Sequence, residues 1–366
     1  MKCALAKALG EIDDVLDVSS VPARPKLKPG SGQLLVRVHA CSLSPGDYRM
    51  LSGACELVKK PEAFPYIPGL DVCGTVVEVD DQGAGGEQFK MGDCVVGTWT
   101  GVFGVGGLAE YALLEESVTV LKPAGVNYLE GAALANSASH ALQVLCLRSR
   151  VQEGDRVLVL GGSGGMGTMI VQLARDAGAS FVAATSTDEP LLMSLGADQV
   201  INYREIEWSE VAEFAEAPFD VIVDCAEGVA AWRKATRRQG AGQRGVLKNG
   251  WKGGRFIAVV LNEWHIEIHR WVEMPAFLLP PLGRQVWTGL CNRWLAPRQM
   301  HIGEPTAADM EEVSRLVEAK RLKVALDPSS PFAFTTQGVR DAFHAMAERR
   351  GHGKVVVQVS DETDVS

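Results

Sequence analysis

The sequence lacks the marks of several large protein classes. It contains no C-x-x-C pair among its eight cysteines, so neither a disulfide framework nor a structural zinc lobe is indicated. Several of those cysteines sit inside apolar runs, where a free thiol behaves as a small hydrophobe, and the pattern suits a reducing compartment. No apolar run reaches about 18 residues, so no spanning helix is expected. The amino terminus starts on a strand-like run without the apolar h-region of a signal peptide, and no transit peptide is visible. Positive charge is in deficit: 36 Lys and Arg face 45 Asp and Glu, a net charge of −9. That balance argues against nucleic acid and against general attraction to anionic membranes. The expected location is intracellular, cytoplasmic or organellar.

What is present is an ordinary globular composition, 46% apolar and 22% charged over 366 residues, long enough for two or three domains. The most informative stretch is Val157 to Gly178. Val157, Leu158, Val159 and Leu160 read as a strand buried on both faces. Glycines follow at 161, 162, 164, 165 and 167, and Met169, Ile170, Leu173 and Ala174 then recur at helical spacing until Gly178. Gly162, Gly164 and Gly167 spell G-x-G-x-x-G between a strand and a helix, the setting in which that motif binds a dinucleotide. The first glycine is expected to permit a tight turn, the second to admit a pyrophosphate, and the third to let helix pack on strand. The cradle then comprises Gly162, Ser163, Gly164, Gly165, Met166 and Gly167 at a helix N-terminus.

Around that stretch the chain divides in two. Residues 1–129 read as short strands with close turns, including 34–40, 71–79, 94–98, 108–114 and 118–121, which suggests a compact barrel-like domain. The segment between 42 and 71 reads as loop, punctuated by Pro45-Gly46, Gly53 and Pro68-Gly69. From about 130, helices alternate with strands near 157–160, 181–185, 199–202, 220–224 and 255–260, the signature of an α/β doubly wound parallel sheet. Residues 306–321 predict an amphipathic helix capped by Thr306, with Met310 starting its apolar stripe. Gly83 to Glu87 reads as a polar surface turn, and the end after 359 as an acidic tail. Basic residues gather over 233–255, either a solvated face or an anion site.

Eight segments in order, among them SLSPGDYRMLSG (42–53), FPYIPGLDVCGTVVEV (64–79), VLVLGGSGGMG (157–167), LGADQVINYRE (195–205) and GHGKVVV (351–357), resemble the medium-chain dehydrogenase/reductase superfamily. They resemble most its zinc-free quinone oxidoreductase branch, including chloroplast-envelope and reticulon-interacting mitochondrial homologues. The resemblance implies a GroES-like catalytic domain, residues 1–129 completed by 303–366, around a Rossmann domain of 130–302. It also implies a cleft where nicotinamide and substrate meet. Zinc-dependent relatives place Cys where Ser44 stands and His-Glu where Leu70-Asp71 stand, and this set lacks three zinc ligands. No metal is expected. His265 and His269 have helical metal spacing, but their Trp264 and Trp271 neighbours favour packing.

The second strand of the alternating half ends in Thr185, Ser186 and Thr187 rather than the acid of an NAD site, so NADP(H) is the expected cofactor. The resemblance adds Tyr203 as a wall beside the 2′-phosphate and Lys354 near the cofactor or the cleft. Asp188, where relatives often carry Lys, could repel that phosphate or start a helix. Cys225, Val259 and Val260 follow strands at their carboxyl ends, where ligands bind. The family motif N-P-x-D becomes Ser44-Pro45-Gly46-Asp47, with Asp47 expected to tie the loop down. Ser44, Tyr48 and His140, which replaces a family Thr, are the catalytic candidates, with Asn136 and Ser137 as further polar ones. The tryptophan-rich segment 262–300 could be an acceptor pocket, a homodimer surface, a membrane-associated contact or plain core. The expected reaction is NADPH-dependent, zinc-independent hydride transfer to a small apolar quinone or α,β-unsaturated carbonyl. The alternative is a catalytically weak, nucleotide-bound scaffold or accessory subunit.

Overall fold

The structure, a computed structural model, describes every residue except 55, 57–59, 81–87, 100–105, 237–244, 261–278, 280–282, 284–295, 297, 302, 349–350 and 361–366. The polar turn 83–87, His265 and His269, the acidic tail and most of the tryptophan-rich segment therefore lie outside the described residues. The chain divides into two compact units, Met1–His140 with Glu304–Ser366, and Ala141–Gly303.

In the first unit, β1 (Lys2–Ala6) pairs antiparallel with β2 (Leu16–Ser20). The organising strand is β3 (Gln33–Ser42), buried along most of its ten residues. It pairs along one edge with β4 (Asp71–Val79), with register shifts after Leu35 and Val38 that mark bulges. Beyond β4 the sheet continues through β5 (Cys94–Gly97) to β7 (Thr119–Leu121), while β6 spans Tyr111–Glu115. The first half of β3 takes β6 along its other edge, from Gln33↔Glu115 to Arg37↔Tyr111. These are the short strands expected from the sequence, and Val36, Val38, Val72, Val76 and Leu114 meet in their core.

The 42–71 segment differs from its expectation. It contains a helix, Pro45–Ser52, begun by Ser44 in an extended conformation, with Pro45 in the first turn and Asp47 closing a capping box. Gly53, left-handed at φ 79°, ends it. The Pro45-Gly46 pair that reads as a turn is here a helix start.

The second unit is a six-stranded parallel sheet. Its strands are β8 (Arg156–Leu160), β9 (Phe181–Thr185), β10 (Gln199–Ile201), β11 (Val221–Asp224), β12 (Arg255–Ala258) and β13 (Arg298–Met300). Their spatial order, β10-β9-β8-β11-β12-β13, reverses direction between β8 and β11. That is the doubly wound order in which a ligand sits beyond the carboxyl ends of the strands at the reversal. The central runs Val157–Leu160 and Val221–Asp224 are wholly buried, as a sheet covered on both faces requires. The basic gathering over 233–255 is largely neutralised where it is described. Lys234 pairs with Glu207 and Glu227, Lys248 with Asp220, and Arg255 with Asp155.

The chain then returns to the first unit. Thr306 caps the helix Ala307–Glu318 with Asp309 in a capping box, and Met310, Val313, Leu316 and Val317 form its buried stripe. The short β14 (Phe332–Ala333) and the helix Thr336–Glu348 follow, the latter burying Val339, Ala342 and Phe343. Finally β15 (Val356–Gln358) pairs antiparallel with Ala40–Ser42 of β3, so the C-terminus completes the sheet begun near the N-terminus. Among the described residues no helix is long and apolar enough to cross a membrane.

Candidate active site

The nucleotide cradle is built in the turn between β8 and the helix Gly165–Asp176. Gly161, at φ 76°, takes the left-handed position of that turn, the role expected of Gly162. Its N–H is held by Thr185 Oγ1 at 2.9 Å, and the Gly162 N–H by the Thr185 carbonyl at 3.0 Å. Gly162 is glycine for another reason: a Cβ there would stand 2.7 Å from Ala184 Cβ. At Gly167 a Cβ would stand 2.2 Å from the Gly161 carbonyl oxygen, so helix and turn meet only because that position is bare. These are contacts inside the protein, and only glycine satisfies them.

Gly164 is different. A Cβ there would meet nothing closer than the Gly161 oxygen at 3.5 Å, an ordinary contact. It is the N-cap of a twelve-residue helix and brings no side-chain cap. The first-turn N–H groups of Gly165, Met166 and Gly167 have no carbonyl four residues back to bond. Open space above a bare N-cap at a helix's positive end is the geometry that receives a phosphate. Ser163 is buried beside this turn, while Gly165 and Met166 are half-buried.

The loop after β11 faces the same turn: a Cβ on Gly161 would lie 3.1 Å from Ala226 Cβ. Asp224, fully buried, accepts from the Ala226, Glu227 and Gly228 N–H groups at 2.7–3.0 Å and so fixes that loop. Burial outweighs those bonds and pushes its carboxyl up to about 6. Cys225 is half-buried, and desolvation drives its thiol far up, so it is a wall rather than a nucleophile. Val259 and Val260 follow β12, both donating to the Asp224 carbonyl.

At the end of β9, Ser186 is buried and its hydroxyl accepts the Asp188 N–H at 2.8 Å. Asp188 caps the helix Glu189–Ser194, its Oδ1 accepting the Leu191 N–H at 3.0 Å. It serves as the helix start that the sequence left as one of two roles. Thr185 pairs with Ile201 of β10, which brings the following turn alongside, and Tyr203 in that turn is 51% exposed. The next residue, Arg204, places an exposed guanidinium in the same turn, a cation that sequence reading passed over.

In the first unit, a polar cluster surrounds the start of β4. Asp71 is fully buried. It accepts from Ser42 Oγ at 3.2 Å and Thr98 Oγ1 at 2.9 Å, and pairs with Lys354 Nζ at 3.3 Å. Lys354, 3% exposed, also donates to the Leu43 carbonyl at 3.3 Å. Lys354 is a buried partner of Asp71, a pairing with no local sequence signal because 283 residues separate the two.

One residue beyond Leu43, Ser44 donates its hydroxyl to Asp47 Oδ2 at 2.9 Å, and Asp47 also accepts the Ser44 N–H at 2.8 Å and the Gly69 N–H at 3.1 Å. Asp47 therefore ties the helix start to the 69–71 strand entry, and burial lifts its carboxyl to about 6. Ser44's hydroxyl proton is committed to Asp47, and in the capping box its oxygen also receives the Asp47 N–H. Tyr48, on the same helix, packs its half-buried ring against the unit's apolar core, and its hydroxyl has no hydrogen-bond partner among the described residues. His140 is buried on the helix Ala135–Gln143. Desolvation lowers its pKa, while Asp71 and Asp309 pull the other way.

The donor set does not fit a catalytic zinc. Ser44 is turned to Asp47, position 70 is leucine, and Asp71 is held by Lys354. Tetrahedral zinc takes three protein ligands from thiolate, imidazole or carboxylate. No group of three such residues able to hold a metal occurs among the described residues.

Residues 30–124 match the alcohol dehydrogenase GroES-like domain, and residues 195–357 the zinc-binding dehydrogenase family. A 2-methylene-furan-3-one reductase of Solanum lycopersicum is 31% identical over 352 residues, covering 94% of this chain and 76% of that protein. The chloroplastic NADPH-dependent alkenal/one oxidoreductase of Arabidopsis thaliana is 29% identical over the same shares. The chloroplast envelope quinone oxidoreductase homolog of that plant is 36% identical over 211 residues, 56% of this chain and 63% of its own length.

Proposed function

Because the chain belongs to the medium-chain dehydrogenase/reductase family, we propose that it is an NADPH-dependent, zinc-independent reductase of α,β-unsaturated carbonyls or quinones. The observation that carries this reading is the bare, uncapped helix start at Gly164. It fits a pyrophosphate, and it stands in a chain whose residues at 44, 70 and 71 cannot supply a Lewis-acid metal. NADPH, when bound, supplies the hydride. Gly164, Gly165 and Met166 hold its pyrophosphate through backbone N–H groups. Gly162 and Gly167 keep the turn tight enough to do so, with Cys225, Val259 and Val260 as walls.

The 2′-phosphate preference rests on what surrounds β9. Ser186 replaces an acid, Asp188 is turned into its helix cap, and Tyr203 with Arg204 offers a ring and a cation. On the acceptor side, hydride adds to the β-carbon of an enone and its C=C pair moves toward the carbonyl, leaving an enolate oxygen. A solvent proton then reaches the α-carbon and completes the reduction. The Tyr48 hydroxyl donates to that oxygen. His140, held neutral by burial, donates a hydrogen bond there rather than a stored proton. Asp47, Asp71 and Lys354 are positioning residues that fix the helix start and the strand entry beneath them.

The six described cysteines are free thiols, which suits a reducing compartment, and the chloroplastic names of two relatives support an organelle as its location. Homodimer or membrane-associated assembly through 262–300 belongs to the same proposal and is read from sequence alone. Titration with NADPH and NADH, followed through nicotinamide fluorescence, tests the function. Tight NADPH binding, then oxidation only on adding trans-2-hexenal or 1,4-naphthoquinone, is expected. Binding without turnover would favour a nucleotide-bound scaffold, and no binding would remove the reading altogether.

A further inference from the structure

Asn136 is the second residue of the helix Ala135–Gln143 and stands four positions before His140. Residues at that spacing project from one face of a helix. Asn136 is 9% exposed, and its Nδ2 is buried without a hydrogen-bond partner among the described residues. Neighbouring Ser139, by contrast, donates to the Ala135 carbonyl at 2.6 Å. A buried amide donor is ordinarily paired, and an orphaned one marks a place for a water or a bound group. The face it shares with His140 lies within electrostatic reach of Asp71, whose cluster adjoins Leu43 and Ser44. An unpaired donor on that face is placed for an oxygen that belongs to a ligand.

From this we infer that Asn136 Nδ2 donates a hydrogen bond to the carbonyl oxygen of the electron acceptor. The inference rests on the reductase reading above. An uncharged amide is suited to the task. It adds no proton to be lost, costs less to bury than a cation, and strengthens its bond as negative charge grows on the oxygen during hydride addition. With Tyr48 and His140 it would make the substrate oxygen's surroundings a set of neutral donors, in place of the metal that serves zinc enzymes.

The test compares wild type with Asn136→Leu, which keeps the branched heavy-atom skeleton but has no donor, and with Asn136→Ala should the bulkier leucine disturb folding. Four quantities are read: the NADPH dissociation constant by fluorescence, the melting temperature, kcat and KM for 2-cyclohexenone, and the affinity of the NADP⁺ complex for cyclohexanone. The inference predicts nucleotide affinity and melting temperature close to wild type. It also predicts kcat/KM lower by about 10- to 100-fold, chiefly in kcat, and weaker binding of cyclohexanone. Catalysis within about twofold of wild type, with ketone binding intact, would overturn it. So would a loss of NADPH affinity that accounts for the whole effect, since that places the amide at the nucleotide. Wild type that turns over no enone or quinone refutes the reductase reading and this inference with it. An active wild type with unaffected variants refutes this inference alone.

Discussion

Replacing Lys354 and Asp71, singly and together, probes the polar cluster most sharply. Their side chains are 4% and 0% exposed, so removing one partner leaves a buried charge, which ordinarily costs about 3–5 kcal/mol. The two ends of that range can be assigned. Lys354→Met leaves the Asp71 carboxylate with hydroxyl donors from Ser42 at 3.2 Å and Thr98 at 2.9 Å, so about 3 kcal/mol is expected. Asp71→Asn is worse, about 4 to 5 kcal/mol. It removes the negative charge that compensates a buried ammonium, whose other acceptor among the described residues is the Leu43 carbonyl at 3.3 Å. In the double variant no charge remains to be compensated, and the loss should be about 4 kcal/mol, well short of the additive sum. The coupling is then about 3 kcal/mol, far above the ~0.5 kcal/mol scatter of independent sites. Because a two-unit chain need not unfold in one step, the readout is native-state hydrogen exchange of β4 and β15 amides. Additive losses, or a Lys354→Met variant within about 1 kcal/mol of wild type, would refute the view that this pair fixes the strand entry.

Two further outcomes follow from the same geometry. Gly164→Ala should fold with little loss, since its methyl meets only ordinary contact, yet weaken NADPH binding at least tenfold. Gly167→Ala should lose about 1–3 kcal/mol or more from overpacking against the Gly161 carbonyl, visible as a lower melting temperature before any nucleotide is added. Stability should also depend on pH between 4 and 7 with opposing parts. Asp47 and Asp224, raised to about 6 in the fold, keep protons that the unfolded chain releases near 3.8. Their stabilisation is present below pH 4 and lost as pH rises through 6, about 3 kcal/mol each at most. His140 acts oppositely: its lowered pKa gives stability above 6.5 that is lost as pH falls. Urea unfolding of Asp47→Asn and His140→Gln from pH 4 to 7 checks both. Asn should flatten the decline from 4 to 6, and Gln should remove the acid-side loss.

Much of this was legible in the sequence because it was local. The runs 157–160 and 181–185 and the Thr306 cap carry their own periodicity and end signals, and the structure reproduces them within a residue or two. The glycine turn was found, but the tight-turn role expected of Gly162 falls to Gly161. Spacing cannot show that Gly161 carries the left-handed backbone while Gly162 packs on Ala184. The helix Pro45–Ser52 was hidden because Pro-Gly is punctuation in most settings, and only the Ser44–Asp47 capping box makes it a helix start here. The least legible part was what distance in sequence conceals. Lys354 meets Asp71, and Asn136, unlike Ser139, has no partner among the described residues, a property that emerges once the chain has folded.

The central claim is hydride transfer from NADPH to an activated carbonyl compound, and isotope transfer tests it most directly. The purified protein would be given NADPH deuterated at C4, separately as each of the two diastereomers, with 2-cyclohexenone, and the product analysed by mass spectrometry and NMR. The account predicts one deuterium at the β-carbon of cyclohexanone from one diastereomer only, a solvent-derived proton at the α-carbon, and far slower turnover with NADH. Deuterium in the product from neither diastereomer, or reduction at the carbonyl carbon to the allylic alcohol, would contradict it.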